Sequence, residues 1–364
     1  MTLAAATELA AATNENLANV SNTLIYSSMA VYTLAFFAYI AEWLFGSRSK
    51  VGRTAAALTA TGGAKAEAKS GPAVTVNKAG GTAVLERPAV VVRSASGSRD
   101  VPDGPGAHGG TEQGDLYGRI AVSLTLLAFA VEAGGVLTRA LSVRRAPWGN
   151  MYEFNITFTT VAVGVYLALL LLKKKVRWLG LPLIITVLLD LGLAVTVLYT
   201  ASDQLVPALH SYWLYIHVST AIFCGAVFYV GAVATILYLF KDSFENKLAS
   251  GGTRPPDKFP YRVNAAVFPL WTFTIIAGAI WAGDAWGRYW GWDPKETWSF
   301  ITWVAYAGYL HARATAGWKG RKAAYLALVA FGCWLFNYYG VNIFVSGKHS
   351  YADVGLGALQ SVGF

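Results

Sequence analysis

Eight long apolar runs organise this chain, near residues 23–45, 117–138, 155–172, 179–199, 211–240, 264–283, 296–313 and 323–344. A helix that crosses the hydrocarbon core of a bilayer needs about 20 mostly apolar residues. The runs therefore predict an all-α polytopic integral membrane protein with about eight transmembrane helices, and the lipid bilayer is its first partner. Only 13% of the residues are charged, against roughly 25% in soluble domains. A transmembrane barrel would instead show segments of about ten alternating residues, and the sequence has none.

Positive charge predicts the orientation, because Lys and Arg collect on cytoplasmic loops. Alternate loops, starting with Arg48 to Arg119, hold 23 of the 29 basic residues, and the opposite side holds 6. Both termini and the segment 284–298 are thus expected outside, and the protein is expected in the cell (plasma) membrane. The net charge of +9 is this inside bias and calls for no nucleic-acid partner. The first residues, "MTLAAATELAAATNENLANV", lack a basic n-region and a compact h-region, so the first run reads as a retained helix rather than a cleaved signal. Cys224 and Cys333 both lie in apolar runs and read as buried thiols.

Three regions follow. Residues 1–46 hold an amino-terminal segment and the first transmembrane helix. Residues 47–115, with "TATGGAKAEAKSGPAVTVNKAGG" and "SASGSRDVPDGPGAHGG", have the composition of a disordered cytoplasmic linker, unable to bury enough apolar surface to offset its ordering entropy. Residues 116–364 form the membrane core.

Within that core, "WGRYWGWDPKETW" (286–298) places four of the chain's 13 tryptophans in one short stretch. "DPKE" predicts a helix start, with Asp293 as N-cap, Pro294 at the first helical position and Glu296 completing a capping box. Capping and ligand contact are both open for Asp293 and Glu296. An interfacial aromatic belt would spread its rings over many helix ends and has no need of Gly287 and Gly291. Flat indole faces separated by glycine suit a flat aromatic ligand, and Trp286, Trp290 and Trp292 are its predicted platform.

A planar macrocycle suggests haem, whose iron takes histidine. Of the five histidines, His108 falls in the linker. His217 lies near the outer start of its helix, and His210 seven residues before it, about two turns away. His349 lies just beyond the last run. His311, 17 residues after Pro294, is about 26 Å further along its helix, near the inner face. Intramembrane ionisable groups are functional candidates, and an outer set beside the tryptophans with one histidine near the inner face fits a ligand that enters low and is held high. Glu132 and Asp190 are also intramembrane and receive no role.

The segment "WGRYWGWDPKETWSFITW" resembles the tryptophan-rich WWD signature of haem-handling proteins in c-type cytochrome maturation. The flanks "NMYEF" (150–154), "SYWLYIHV" (211–218), "YLHAR" (309–313) and "GVNIFVSGKHSYA" (340–352) are similar to the CcsA/ResC family, called CcsB in actinobacteria. The resemblance spans most of 117–352. It implies haem b at one external site, with His217 and His349 as axial ligands and the WWD segment (Trp286, Trp290, Trp292, Asp293) against it. It also implies a second, transmembrane haem with His311 as an iron ligand. A ResB/Ccs1-type membrane protein would be the partner, and the pair a cytochrome c synthase (haem lyase) complex acting on the CxxCH motif of exported apocytochrome c. No catalytic residue separate from haem positioning is expected, since cofactor chemistry needs the protein mainly for placement. The "WLxxHV" context favours His217 over His210.

Three other readings remain at the level of sequence. A b-type cytochrome for electron transfer would pair histidines at both depths, and the inner side offers only His311. A solute transporter would show matched broken helices at the midplane, which are absent. A haem escort or exporter with no part in attachment shares the same motifs.

Overall fold

The computed structural model describes residues 14–45, 112–174, 176–202, 211–248, 258–345 and 347–348. All regular structure among the described residues is helical. The helices are α1 (Glu15–Phe45), α2 (Glu112–Val143), α3 (Met151–Leu171), α4 (Gly180–Thr196), α5 (Tyr212–Leu248), α6 (Lys258–Trp286), α7 (Pro294–Ala314) and α8 (Arg321–Leu335). A π-turn, Phe336–Gly340, carries α8 into the short α9, Val341–Phe344. The residues assigned to the linker lie outside the described part, apart from the first residues of α2.

The eight predicted runs all fall on helices, and seven of these are long and apolar enough to cross a membrane. The remaining helix, α7, has 21 residues and is about 31 Å long, sufficient to cross. It is more polar than the others because it carries Lys295, Glu296, His311 and Arg313 among its aromatic residues. Residues at the carboxy-terminal ends of both α6 and α8 line one cavity, so α7 must run from that end of the bundle to the other. The chain is a multi-pass membrane protein.

Helices α1 and α2 pair along a seam whose period the apolar runs do not display. The buried positions of α1 are Ser21, Ile25, Ser28, Tyr32, Ala35, Tyr39 and Glu42. Those of α2 in the same register are Gly114, Gly118, Ala121, Thr125, Ala128, Glu132, Gly135, Arg139 and Ser142. Both alternate steps of four and three, the heptad spacing of a left-handed helix pair. Small and hydroxyl residues dominate because apolar side chains gain nothing by leaving lipid, whereas close packing and interhelical hydrogen bonds do stabilise the pair. Ser21 donates to the Gly135 carbonyl at 2.7 Å. A side chain at Gly135 would meet Ile25 Cδ1 at 2.8 Å, so glycine is needed for this approach.

The two unassigned carboxylates have partners across helices. Glu132 accepts hydrogen bonds from Tyr32 and from Thr159 of α3, each at 2.7 Å. Asp190 of α4 accepts from the Tyr339 hydroxyl. Asn155 of α3 accepts from Tyr338 at 2.9 Å and donates to the Asp190 carbonyl at 3.0 Å. These bonds tie α1 through α4 to the π-turn, at the cost of burying polar groups that must stay paired.

Candidate functional site

A cavity of about 350 Å3 opens at one end of the bundle, within the range of about 300–1,000 Å3 of small-molecule sites. Five chain segments build it. The start of α3 supplies Trp148, Met151 and Phe154, and the start of α5 supplies Leu214, His217 and Ala221. The middle of α6 supplies Trp271, and its carboxy-terminal part Gly278 and Trp281. The turn into α7 supplies Trp286, Trp290 and Lys295, and the end of α8 with the π-turn supplies Trp334, Asn337 and Tyr338.

The start of α3 explains the "NMYEF" motif. Asn150 caps the helix, its side chain accepting from the Glu153 amide at 2.8 Å. Tyr152 and Glu153 turn into the protein, leaving Met151 and Phe154 on the cavity wall. The fully buried Glu153 carboxylate accepts from Arg139 Nε at 3.1 Å, from Arg145 Nη1 at 2.7 Å and from the Gly149 amide at 2.9 Å. Two guanidinium groups on one carboxylate thus hold the turn that presents Trp148.

His217 sits half-buried in the wall. Its Nδ1 lies 2.9 Å from the Thr274 carbonyl oxygen. A carbonyl only accepts, so Nδ1 carries the proton and the lone pair of the neutral ring is on Nε2. Metal-binding histidines are commonly oriented by such a second-nitrogen hydrogen bond. The ring lies 12° from parallel to Trp281 at 6.2 Å. It fits against α6 because residue 278 is glycine, where a Cβ would come within 2.6 Å of His217 Cε1.

The tryptophan segment divides by exposure. Trp286 and Trp290 line the cavity, and Trp286 packs edge-on against Trp281 at 4.8 Å. Trp292 faces away from it, 65% exposed, edge-on to Trp290 at 5.7 Å. Its φ of +56° is in the left-handed region, costly for a bulky residue and concentrated at functional sites. Gly287, at φ +70° with its amide on the Gly283 carbonyl, ends α6. Helix termination therefore accounts for this glycine, and the amide of Gly291 donates to Glu296 at 2.8 Å.

Asp293 and Glu296 form the predicted capping box. Asp293 also does something the motif does not reveal: its Oδ1 accepts from the backbone amide of Lys348 at 2.8 Å. Lys348 places its ammonium 5.3 Å above the Trp286 ring. Asp293 is thus buried beneath the rim, holding the chain that leads to His349. His349 and His210 themselves lie outside the described residues. His311 lies in the last turn of α7, exposed and away from the cavity. It shares an outward stripe with Phe300, Val304 and Gly308, residues three or four apart on one helix face.

Several wall residues escaped the sequence reading. Trp148 comes from the turn before α3, Trp271 and Trp281 from α6 and Trp334 from α8, and no local pattern marks them. Lys295 stands within the motif itself, and its position between Asp293 and Glu296 was the one available signal.

Residues 148–349 match the family described as cytochrome C assembly protein, and these bounds run from the first cavity residue, Trp148, to one residue past the last, Lys348. The chain is 36% identical over 242 residues to the cytochrome c biogenesis protein CcsA of Trieres chinensis, covering 56% of this chain and 77% of that protein. It is 33% identical over 294 residues to CcsA of Gloeobacter violaceus, covering 65% and 87%. A stretch of 161 residues is 44% identical to CcsA of Chlamydomonas reinhardtii, spanning 41% of this chain and less than half, 43%, of that protein.

Proposed function

Since this chain belongs to the cytochrome c assembly family and is of the CcsA type, with a role in cytochrome c biogenesis, we propose that its cavity holds haem b on the extracytoplasmic side of the plasma membrane for attachment to exported apocytochrome c. When bound, haem supplies the vinyl groups across which the two CxxCH thiols add to form thioethers. This chain's residues supply position. His217 offers Nε2 as an axial ligand, with the ring oriented by Thr274. Trp286 and Trp290 wall the macrocycle, and His349 is the second ligand, on the chain that Asp293 holds at the rim.

The inner site is built differently. His311 is exposed on a helix face with no second histidine near its depth among the described residues, which supports a haem shared with a membrane helix of a ResB/Ccs1-type partner. Haem enters there and reaches the outer cavity for attachment. The observation that carries this reading is the His217–Thr274 hydrogen bond within a cavity walled by tryptophan. An indole wall alone would suit many flat ligands, whereas an imidazole with its lone pair assigned to Nε2 suits a metal.

The test is to purify the chain with a ResB-type partner and record its haem spectrum. Low-spin bis-histidine haem that is lost in His217→Ala supports the reading. A spectrum indifferent to His217→Ala would overturn it.

A further inference from the structure

Lys295 faces an aromatic cavity with no carboxylate in ion-pair contact among the described residues, and Asp293, two residues before it, acts on it only through space. Its Nζ donates to the Asn337 carbonyl at 2.8 Å and to Asn342 Oδ1 at 3.0 Å, two neutral oxygens for three ammonium protons. Among the described residues no Asp or Glu forms an ion pair with it. Among the described residues the one carboxylate lining the cavity, Glu296, is engaged by Arg288 at 3.2 Å and by the amides of Gly291 and Asp293. A second cation, Lys348, stands at the same cavity. Deeper in, Trp271 is 4% exposed and its indole N–H has no acceptor among the described residues.

Each of these groups is a donor, and two carry positive charge. Desolvating a cation is costly unless it is paired, and a charge-assisted bond to a carboxylate is about twice as strong as a neutral one. Buried polar groups left unsatisfied call for an explanation, and here one ligand answers both. We infer that Lys295 is an anion anchor that binds a carboxylate of the cavity's flat ligand and so decides which edge of that ligand turns outward.

The inference rests on the haem reading and deepens it. The two propionates of haem sit on one edge of the macrocycle and the two vinyl groups away from them. With the acid edge drawn to Lys295, between α7 and the π-turn, the vinyl edge is left on the opposite side of the cavity. The anchor is independent of the iron, because His217 reaches the cavity from α5 and Lys295 from α7. Orientation and ligation are therefore separable by experiment.

The full-length chain in lipid nanodiscs is titrated with metal-free protoporphyrin IX and with its dimethyl ester, and binding is followed by porphyrin fluorescence. Removing the iron excludes axial ligation. The wild type should bind the free acid about tenfold more tightly than the ester. Lys295→Met should bind both with equal affinity, at the wild-type ester value, and Lys295→Arg should recover most of the preference. Recovery in Lys295→Arg guards against a general folding defect, as does unchanged thermal unfolding of Lys295→Met. An acid preference that persists in Lys295→Met would overturn the anchor, as would a wild type that binds acid and ester alike. Displacement of the porphyrin by equimolar oleate would assign the anchor to a lipid carboxylate and overturn its link to the macrocycle. Ferric haem titrated in parallel separates the two readings. A His217-dependent haem spectrum with no role for Lys295 sinks the anchor alone, whereas no binding of any tetrapyrrole sinks the haem reading with it.

Discussion

The carboxylate of Asp293 accepts the backbone amide of Lys348 at 2.8 Å, joining two chain segments 55 residues apart. One bears the tryptophan motif and the other leads directly into His349. The aspartate of the motif is therefore a structural clasp as well as a helix cap. Asp293→Asn keeps one of the two acceptor oxygens and should retain more external haem than Asp293→Ala. Asp293→Ala loses the cap, worth about 1 kcal/mol, and frees the segment before His349, so external haem should fall at least fivefold. Haem absorbance per purified protein checks the pair, and equal haem in the two variants would refute the clasp.

Gly278 should be as necessary for haem as His217. A methyl group at this position would meet the imidazole at 2.6 Å and push it off the Thr274 carbonyl. Gly278→Ala is expected to reduce haem affinity at least tenfold while thermal stability shifts little, alanine being a better helix former than glycine. Titration with ferric haem, beside a melting curve, decides this.

The tryptophans should separate by position. Trp286→Ala and Trp290→Ala remove cavity wall and should weaken haem retention severalfold without changing the ligation spectrum. Trp292→Ala, at a ring that is 65% exposed, should leave retention close to wild type. Haem loss to excess apomyoglobin gives the comparison.

Glu153→Ala should destabilise the protein most. It strands the buried Arg139 and the nearly buried Arg145, and breaking a buried pair from one side costs about 3–5 kcal/mol. Much-reduced folded protein in the membrane is expected, with a smaller loss in Glu153→Gln. Detergent-extracted yield and thermal unfolding measure it.

His311→Ala should leave the external haem intact in the isolated chain. A six-coordinate inner haem should require co-expression with a ResB-type partner. Its presence in the isolated chain, sensitive to His311→Ala, would show that the second ligand is not the partner's.

Much of this architecture was legible in the order of residues alone. Apolar runs of about 20 residues have no other stable use than to cross lipid as helices. The capping box of Asp293 and Glu296 is local chemistry spanning four residues, so the start of α7 could be read from "DPKE" without any knowledge of neighbours. The tryptophan motif, the histidines and the similarity of their flanks likewise pointed to haem from the sequence.

Only the tertiary structure decided which side chains share a wall. Trp148 before α3, Trp271 and Trp281 on α6 and Trp334 on α8 meet around one cavity, and helix packing carries no signature in a single sequence. The heptad seam of α1 and α2 was hidden because its contacts are serine, threonine, glycine and tyrosine, which an apolar pattern does not mark. Trp292 and Trp290 stand two residues apart in one motif, yet one faces outward and the other the cavity, because the backbone turns at Trp292, itself in the left-handed region. Glu132 and Asp190 seemed unpartnered in sequence because their hydrogen-bond donors come from other helices. The sequence determined the elements and the chemistry they carry; their approach in space, set by close packing and by the pairing of buried polar groups, determined the site.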